Sequence, residues 1–265
     1  MRPVHSKVVA ATTLLVALFM AALPSWQSWR TQPPDFTLIP AGEARKSAFF
    51  SYLGPLIDAE NGRWQERRKR LQSLKAAILA DTENQPGKRD RLWLDTEIAF
   101  FEVAEDQPLA TQIDALLEHV DAVPRSLALA QAAKESAWGT SRFAADAHNY
   151  FGQRCYHKGC GVVPDNRAPS AKFEVRRFDS PQASITSYMN NINSHPEYAG
   201  FRAYRAARRA ENKPINGIEA AEQLTQYSER RQAYVDEIQS LIHFNKLDQS
   251  GENVLDQAED TETAT

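Results

Sequence analysis

One glutamate, Glu135, stands where a carboxyl group could act as a general acid. Helical spacing places it on the same face as Ala128 and Ala132, and this face is expected to be buried. Burial disfavours the charged form, and so does the negative end of the helix dipole in the last turn. Both effects favour a proton held near neutral pH, as general acid catalysis requires. The alternative is a surface glutamate, or one paired with Lys134 or Arg142.

The helix that carries this glutamate is predicted over residues 124–137. Pro124 fits its first position, and Gly139 lies just beyond its end. Its alanine-rich interior favours helix formation and allows neighbouring elements to approach closely. Further helical patterns cover residues 43–120, 180–195, 202–209 and 220–244.

A short β-hairpin is predicted between the helices. Residues 161–163 and 171–176 resemble strands, and residues 165–169 are expected to form the turn between them. In the second strand, Phe173 and Val175 lie on one face and charged residues on the other. The chain is therefore expected to be mainly helical, with a small β lobe.

Composition excludes several classes of protein. The chain has 265 residues, of which 42% are hydrophobic and 25% charged, so it is not collagen-like, wholly disordered or a polytopic membrane protein. The net charge of -3 gives no indication of a nucleic-acid partner.

The N-terminus predicts export. Arg2 and Lys7 precede an uncharged run over residues 8–23, which is typical of a secretion signal or of an uncleaved inner-membrane tether. Trp26 and Trp29 would lie at the membrane interface in the second case. Either interpretation places the rest of the chain in the periplasm or another extracytoplasmic space.

Two cysteines lie five residues apart. In an oxidising compartment, Cys155 and Cys160 can close a short glycine-containing loop by a disulfide. A metal site would use both sulfurs and His157, but a fourth ligand and the usual zinc spacing are missing. We therefore expect a disulfide and no metal.

An ordered set of motifs carries a resemblance to a known family. The segments concerned are Ala-Gln-Ala-Ala-Lys-Glu135-Ser136-Ala-Trp138-Gly139, Asn149-Tyr150-Phe151-Gly152, Ala183-Ser-Ile-Thr-Ser-Tyr188 and His195-Pro196-Glu-Tyr198. Together they resemble the glucosaminidase family, glycoside hydrolase family 73. The helical lead segment, with Cys155 and Gly159-Cys160-Gly161, is most similar to the Bax-type branch of that family.

The resemblance implies an α+β, mainly α, fold, in which a lysozyme-like catalytic domain with a short β-hairpin lobe follows a helical segment. It implies hydrolysis of β-1,4 bonds after N-acetylglucosamine in peptidoglycan strands, without a cofactor and without amidase activity. Glu135 matches the family's catalytic glutamate. The positions expected to shape the cleft or bind substrate are Ser136, Trp138, Asn149, Phe151, Tyr188 and Tyr198. Trp138 could instead cap the core, and Phe151 is expected to be structural.

The identity of the second catalytic group stays open. Glu174, on the polar face of the second strand, and Asp165, at the hairpin tip, are the candidates, and Glu174 is preferred. A cross-strand ion pair explains Glu174 equally well. The substrate's own acetamido group is a third candidate for this step.

The sequence also fits two rival functions, and it divides into five segments. The rivals are a lytic transglycosylase that uses the same glutamate and a non-catalytic protein that binds the cell wall. The predicted segments are a signal or anchor over residues 1–25, a linker over 26–42, a helical segment over 43–119, the glucosaminidase domain over 120–247 and a disordered acidic tail over 248–265.

Overall fold

The computed structural model describes residues 33–80, 86–165, 167–168 and 170–248. The predicted signal or anchor therefore lies outside the described residues, as does most of the predicted tail. Within the described part, the helices are α1 (Glu43–Ala80), α2 (Lys88–Phe100), α3 (Leu109–His119), α4 (Arg125–Glu135), α5 (Arg142–Ala147), α6 (Pro181–Ser194), α7 (Ala199–Ala210), α8 (Gly217–Glu222) and α9 (Gln232–Phe244). No helix of this part is long and apolar enough to span a bilayer.

Helix α4 lies at the centre of the packing. Every side chain from Ser126 to Ala133 is buried, and α1, α8 and α9 contact this helix. Its small alanine side chains permit these neighbours to approach from several sides. The helix ends at Glu135, two residues earlier than predicted, because Ala137 and Trp138 adopt positive φ angles that a right-handed helix cannot contain.

A three-stranded antiparallel sheet forms the β lobe. Its strands are β1 (Arg154–Cys155), β2 (Gly161–Val162) and β3 (Glu174–Arg176), and β3 lies in the middle. The two predicted strands are confirmed in shortened form, whereas β1 was not predicted. Arg154 pairs with Val175 and Cys155 with Glu174, so the disulfide loop starts from the sheet.

The segment before α4 belongs to the same compact unit as the segment that follows it. This unit begins at Phe36, which is buried and packs on Phe49 of α1 with ring centroids 5.5 Å apart. The predicted linker therefore extends too far at its C-terminal end, because an exposed linker would not bury this ring. Asn61 of α1 makes two hydrogen bonds with the backbone of Val123: its Nδ2 donates over 2.8 Å and its Oδ1 accepts over 3.0 Å.

A buried carboxylate fastens the connection between α3 and α4. Asp121 accepts hydrogen bonds from Arg209 of α7, and Arg68 of α1 lies 3.8 Å from it. Arg205, also on α7, donates to the backbone oxygens of Asp121 and Ala122. Burial alone would raise the pKa of Asp121, but the three arginines outweigh this effect and hold the pKa below its usual value.

We expect Asp121→Asn to lower the free energy of unfolding by about 3–5 kcal/mol, because it leaves buried arginines without their counter-charge. Urea denaturation at pH 7 measures this loss. Because the pKa of Asp121 is depressed, the difference in the free energy of unfolding between wild type and variant should persist above about pH 4. It should shrink below that pH, as the wild-type carboxylate becomes protonated.

The matched control is Asp114→Asn. Asp114 forms an exposed ion pair with Lys75. Loss of this ion pair should lower the free energy of unfolding by less than about 1 kcal/mol. Equal effects of the two substitutions would contradict the role given to Asp121.

Candidate active site

Glu135 occupies the last position of α4 and is partly buried. Burial raises the pKa of its carboxyl group, while a hydrogen bond with Tyr234 of α9 and the charge of Lys134 oppose part of this rise. The raised pKa agrees with the direction expected from the sequence.

The two predicted alternative partners of Glu135 are engaged elsewhere. Lys134 forms an ion pair with Glu237 of α9, which also binds Arg230 through two hydrogen bonds of 2.7 and 2.9 Å. These hydrogen bonds, from Arg230 and then from Lys134, lower the pKa of Glu237 to about 2. Arg142 lies 3.0 Å from Asp165. Glu135 is therefore neither a surface glutamate nor half of an ion pair with either residue.

A tight left-handed turn follows Glu135. Ser136 donates through its hydroxyl to Ala132 O over 2.6 Å and accepts from Gly139 N over 2.8 Å. Gly139 has a φ of +77°, and a Cβ there would lie 2.3 Å from the Phe36 ring. The side chain of Ser136 is wholly buried. Its observed role is to hold the turn, and a contact of Ser136 with substrate stays a prediction.

Asn149 places a loop against the glutamate. Its Nδ2 donates to the backbone oxygens of Gln153 and Arg176, each over 2.8 Å, and its Oδ1 accepts from the backbone N–H groups of Phe151 and Gln153. Asn149 is itself buried, and a contact of its side chain with substrate stays a prediction. Its hydrogen bonds fasten the loop to strand β3.

Gly152 is the residue of this loop that touches the glutamate. It has a φ of +67°, and a Cβ at this position would lie only 3.3 Å from Glu135 Oε2. A residue without a side chain is needed here for two reasons, the backbone conformation and the close approach of the carboxyl group.

Aromatic rings form one wall beside Glu135. Phe151 stacks on Tyr188 at 4.0 Å, Tyr227 stacks on Tyr234 at 5.5 Å, and Tyr198 lies 6.0 Å from Tyr227. Phe151 and Tyr188 are buried and support this wall, which agrees with the structural role expected for Phe151. Tyr198 is also buried, and the contacts of Tyr188 and Tyr198 with substrate stay predictions.

Trp138 packs against the core, which is the structural alternative given for this residue above. Its half-buried ring packs against Phe49 at 5.8 Å and Phe50 at 5.4 Å, both on α1. The ring therefore joins the turn after Glu135 to the N-terminal helix.

Glu174 lies inside the disulfide loop rather than on an exposed polar face. Cys155 and Cys160 form the predicted disulfide, so their sulfurs are not free to act as thiolate ligands. Both oxygens of Glu174 accept from Gly159 N, over 2.9 and 3.1 Å, and Oε2 also accepts from Gly161 N over 2.9 Å. These backbone hydrogen bonds lower the pKa of Glu174. The predicted cross-strand ion pair is wrong, and a catalytic role for this carboxylate stays a prediction that its hydrogen bonds disfavour.

Two tyrosines and a glutamine of this site were missed at the sequence level. Tyr227 and Tyr234 lie near Glu135, and Gln131 connects to Tyr234. The available signal was the pair of tyrosines seven residues apart, one in the turn before the last helix and one in its first turn. That spacing alone does not indicate which ring faces the glutamate.

We expect Gly152→Ala to reduce kcat by about tenfold or more, because the added methyl group displaces the carboxyl group of Glu135. Release of soluble fragments from peptidoglycan measures the effect. Gly159→Ala is the matched control: Gly159 has a φ of +85°, but no atom lies within 4 Å of an added Cβ. If both variants lose activity equally, backbone strain rather than contact with Glu135 explains the loss.

We expect Glu174→Gln to accelerate hydrogen exchange at the amides of Gly159 and Gly161, since it removes the charge that accepts their hydrogen bonds. Most of the glycan hydrolysis that the family resemblance implies should remain. A loss of activity as large as that of Glu135→Gln, with unchanged exchange at both amides, would instead support a catalytic Glu174.

Comparisons with known proteins agree with this architecture. The family profile named glucosaminidase, described as mannosyl-glycoprotein endo-beta-N-acetylglucosaminidase, matches residues 110–247. Protein bax of Escherichia coli strain K12 is 31% identical over 205 residues, which cover 76% of this chain and 70% of that protein. No solved structure matches the chain significantly. The predicted α+β, mainly α, class with a lysozyme-like domain is confirmed.

Proposed function

The chain belongs to the glucosaminidase family of glycoside hydrolases, and on this premise we propose that it hydrolyses β-1,4 bonds in peptidoglycan, after N-acetylglucosamine, with Glu135 as general acid. The observation that carries the proposal is the partly buried carboxyl group at the end of α4, whose pKa is raised by burial. The carboxyl group of Glu135 lies beside a glycine-containing loop and a wall of aromatic rings.

The reaction begins with proton transfer from Glu135 to the glycosidic oxygen. The bond between this oxygen and the anomeric carbon breaks, its electron pair leaves with the oxygen, and an oxocarbenium-like centre forms. Water then adds to that centre and releases one proton, and uptake of one proton restores the acid form of Glu135. A raised pKa keeps the proton available at the start, and the nearby hydroxyl of Tyr234 stabilises the carboxylate that remains.

The lytic transglycosylase is the second candidate, and one observation fits it as well as it fits substrate-assisted hydrolysis. Both predicted second acids already have partners, because Glu174 binds the disulfide loop and Asp165 binds Arg142. A mechanism that requires no second carboxylate uses the substrate's acetamido group for hydrolysis, or an internal hydroxyl of the sugar for transglycosylation.

We also propose an extracytoplasmic location. A disulfide between Cys155 and Cys160 is typical of proteins in oxidising compartments, and a peptidoglycan substrate would lie there. The basic and apolar N-terminal sequence supports the same location, whether it acts as a cleaved signal or as a tether over residues 8–23.

Mass spectrometry of the sugar ends released from purified peptidoglycan tests the function. We expect reducing N-acetylglucosamine ends from wild type and a decrease of at least about a hundredfold with Glu135→Gln, since the amide cannot donate an acidic proton. Glu219→Gln is a suitable control because Glu219 is an exposed carboxylate on α8 that also accepts a hydrogen bond from a tyrosine, Tyr204. Anhydro-muramyl ends would support the transglycosylase, and no product from folded wild type would support a wall-binding role.

A further inference from the structure

Three buried side chains behind Glu135 form a continuous chain of hydrogen bonds. The hydroxyl of Tyr188 donates to Gln131 Oε1 over 2.6 Å, and Gln131 Nε2 donates to the hydroxyl oxygen of Tyr234 over 3.1 Å. Tyr234 in turn lies next to Glu135, and each of the two groups shifts the pKa of the other. Gln131 is 0% exposed, Tyr188 1% and Tyr234 3%, so water does not compete for these contacts.

The chain of hydrogen bonds has one consistent direction. A phenol has a single hydrogen, and Tyr188 gives its hydrogen to the amide oxygen of Gln131. The amide therefore presents an N–H group to Tyr234, whose oxygen acts as the acceptor. The hydrogen of Tyr234 is then left for Glu135. If the amide were reversed, Tyr234 would have to donate to Gln131, and Glu135 would lose its donor.

We propose that Gln131 is a positioning residue that orients the hydroxyl of Tyr234 towards Glu135 and thereby stabilises the carboxylate formed as the acid gives up its proton. This inference rests on the proposed function, because it takes Glu135 as the acid. The contribution is catalytic in effect, since an oriented donor stabilises the developing charge more than it stabilises the neutral acid.

Tyr234 keeps its own proton throughout this step. Burial, and then the neighbouring charge of Glu135, raise the pKa of Tyr234 far above its ordinary value. The proton that reaches the glycosidic oxygen therefore comes from Glu135 alone. Neither Tyr234 nor Gln131 changes its protonation state.

The test compares Tyr234→Phe and Gln131→Glu with wild type on a soluble peptidoglycan fragment of defined length. Tyr234→Phe removes the donor. Gln131→Glu replaces the amide with an acceptor that draws the hydrogen of Tyr234 away from Glu135, and it adds a negative charge. Both changes disfavour the Glu135 carboxylate and raise its pKa.

The rate of a reaction that requires a protonated acid falls as pH rises through the pKa of that acid. We therefore expect the falling limb of the pH–rate profile to move about one pH unit higher in both variants. We also expect kcat at the optimum to fall about tenfold, with little change in KM. An unmoved limb in both variants, once circular dichroism shows that they fold, would overturn the proposal.

Tyr204→Phe is the matched control. The hydroxyl of Tyr204 also donates to a glutamate, Glu219, over 2.9 Å, but it takes no part in the chain of hydrogen bonds behind Glu135. We expect this variant to leave the pH–rate profile unchanged. A shift equal to that of Tyr234→Phe would show that loss of any such hydrogen bond is sufficient, and would contradict a specific role for Gln131.

A second readout needs no activity, so it separates this inference from the proposed function. A raised pKa for Glu135 in the folded state gives stability that is lost as pH rises through that pKa. Because the loss begins at the unfolded-state pKa, urea denaturation across pH 4 to 8 should show that it continues to about one pH unit higher in Tyr234→Phe than in wild type. Identical pH dependence would overturn the inference even if the enzyme proves inactive, whereas the shift in an inactive protein would refute the proposed function alone.

Discussion

The burial of one carboxyl group at the end of a central helix is the constraint on which the rest of this structure depends. Glu135 meets both desolvation and the negative end of the helix dipole, and each effect disfavours its charged form. The protein does not neutralise this glutamate with an adjacent cation, since Lys134 is held by Glu237. A neutral hydrogen-bond donor, Tyr234, contacts it instead. The carboxyl group can therefore both hold a proton and release it.

The location of this group is set by contacts at the other end of the helix. Asn61 binds the backbone just before α4, and the Asp121 cluster fastens the preceding connection to α1 and α7. Helix α4 has 11 residues, so these contacts lie roughly 16 Å from Glu135 along the helix axis. The N-terminal helical segment is thus part of the framework that orients the site, which follows from packing and does not require a gating motion.

Sequence reasoning identified the elements whose signals are local. The alanine-rich helix, the position of Glu135 in its last turn and the disulfide loop all follow from spacing and residue type. It could not identify the contact of Gln131 with Tyr234, because 103 positions separate these residues. It also misplaced Glu174, since strand alternation predicts an exposed side chain and takes no account of backbone N–H groups that fold back over it.

Titration of the Glu135 carboxyl carbon by NMR, in the full chain and with Glu135→Gln to assign its resonance, tests the central claim most directly. We expect a pKa above the ordinary glutamate value of about 4.3, because burial outweighs the hydrogen bond from Tyr234 and the charge of Lys134. A pKa at or below that value would mean that the group is ionised near neutral pH. It would contradict the role of Glu135 as the acid that protonates the glycosidic oxygen.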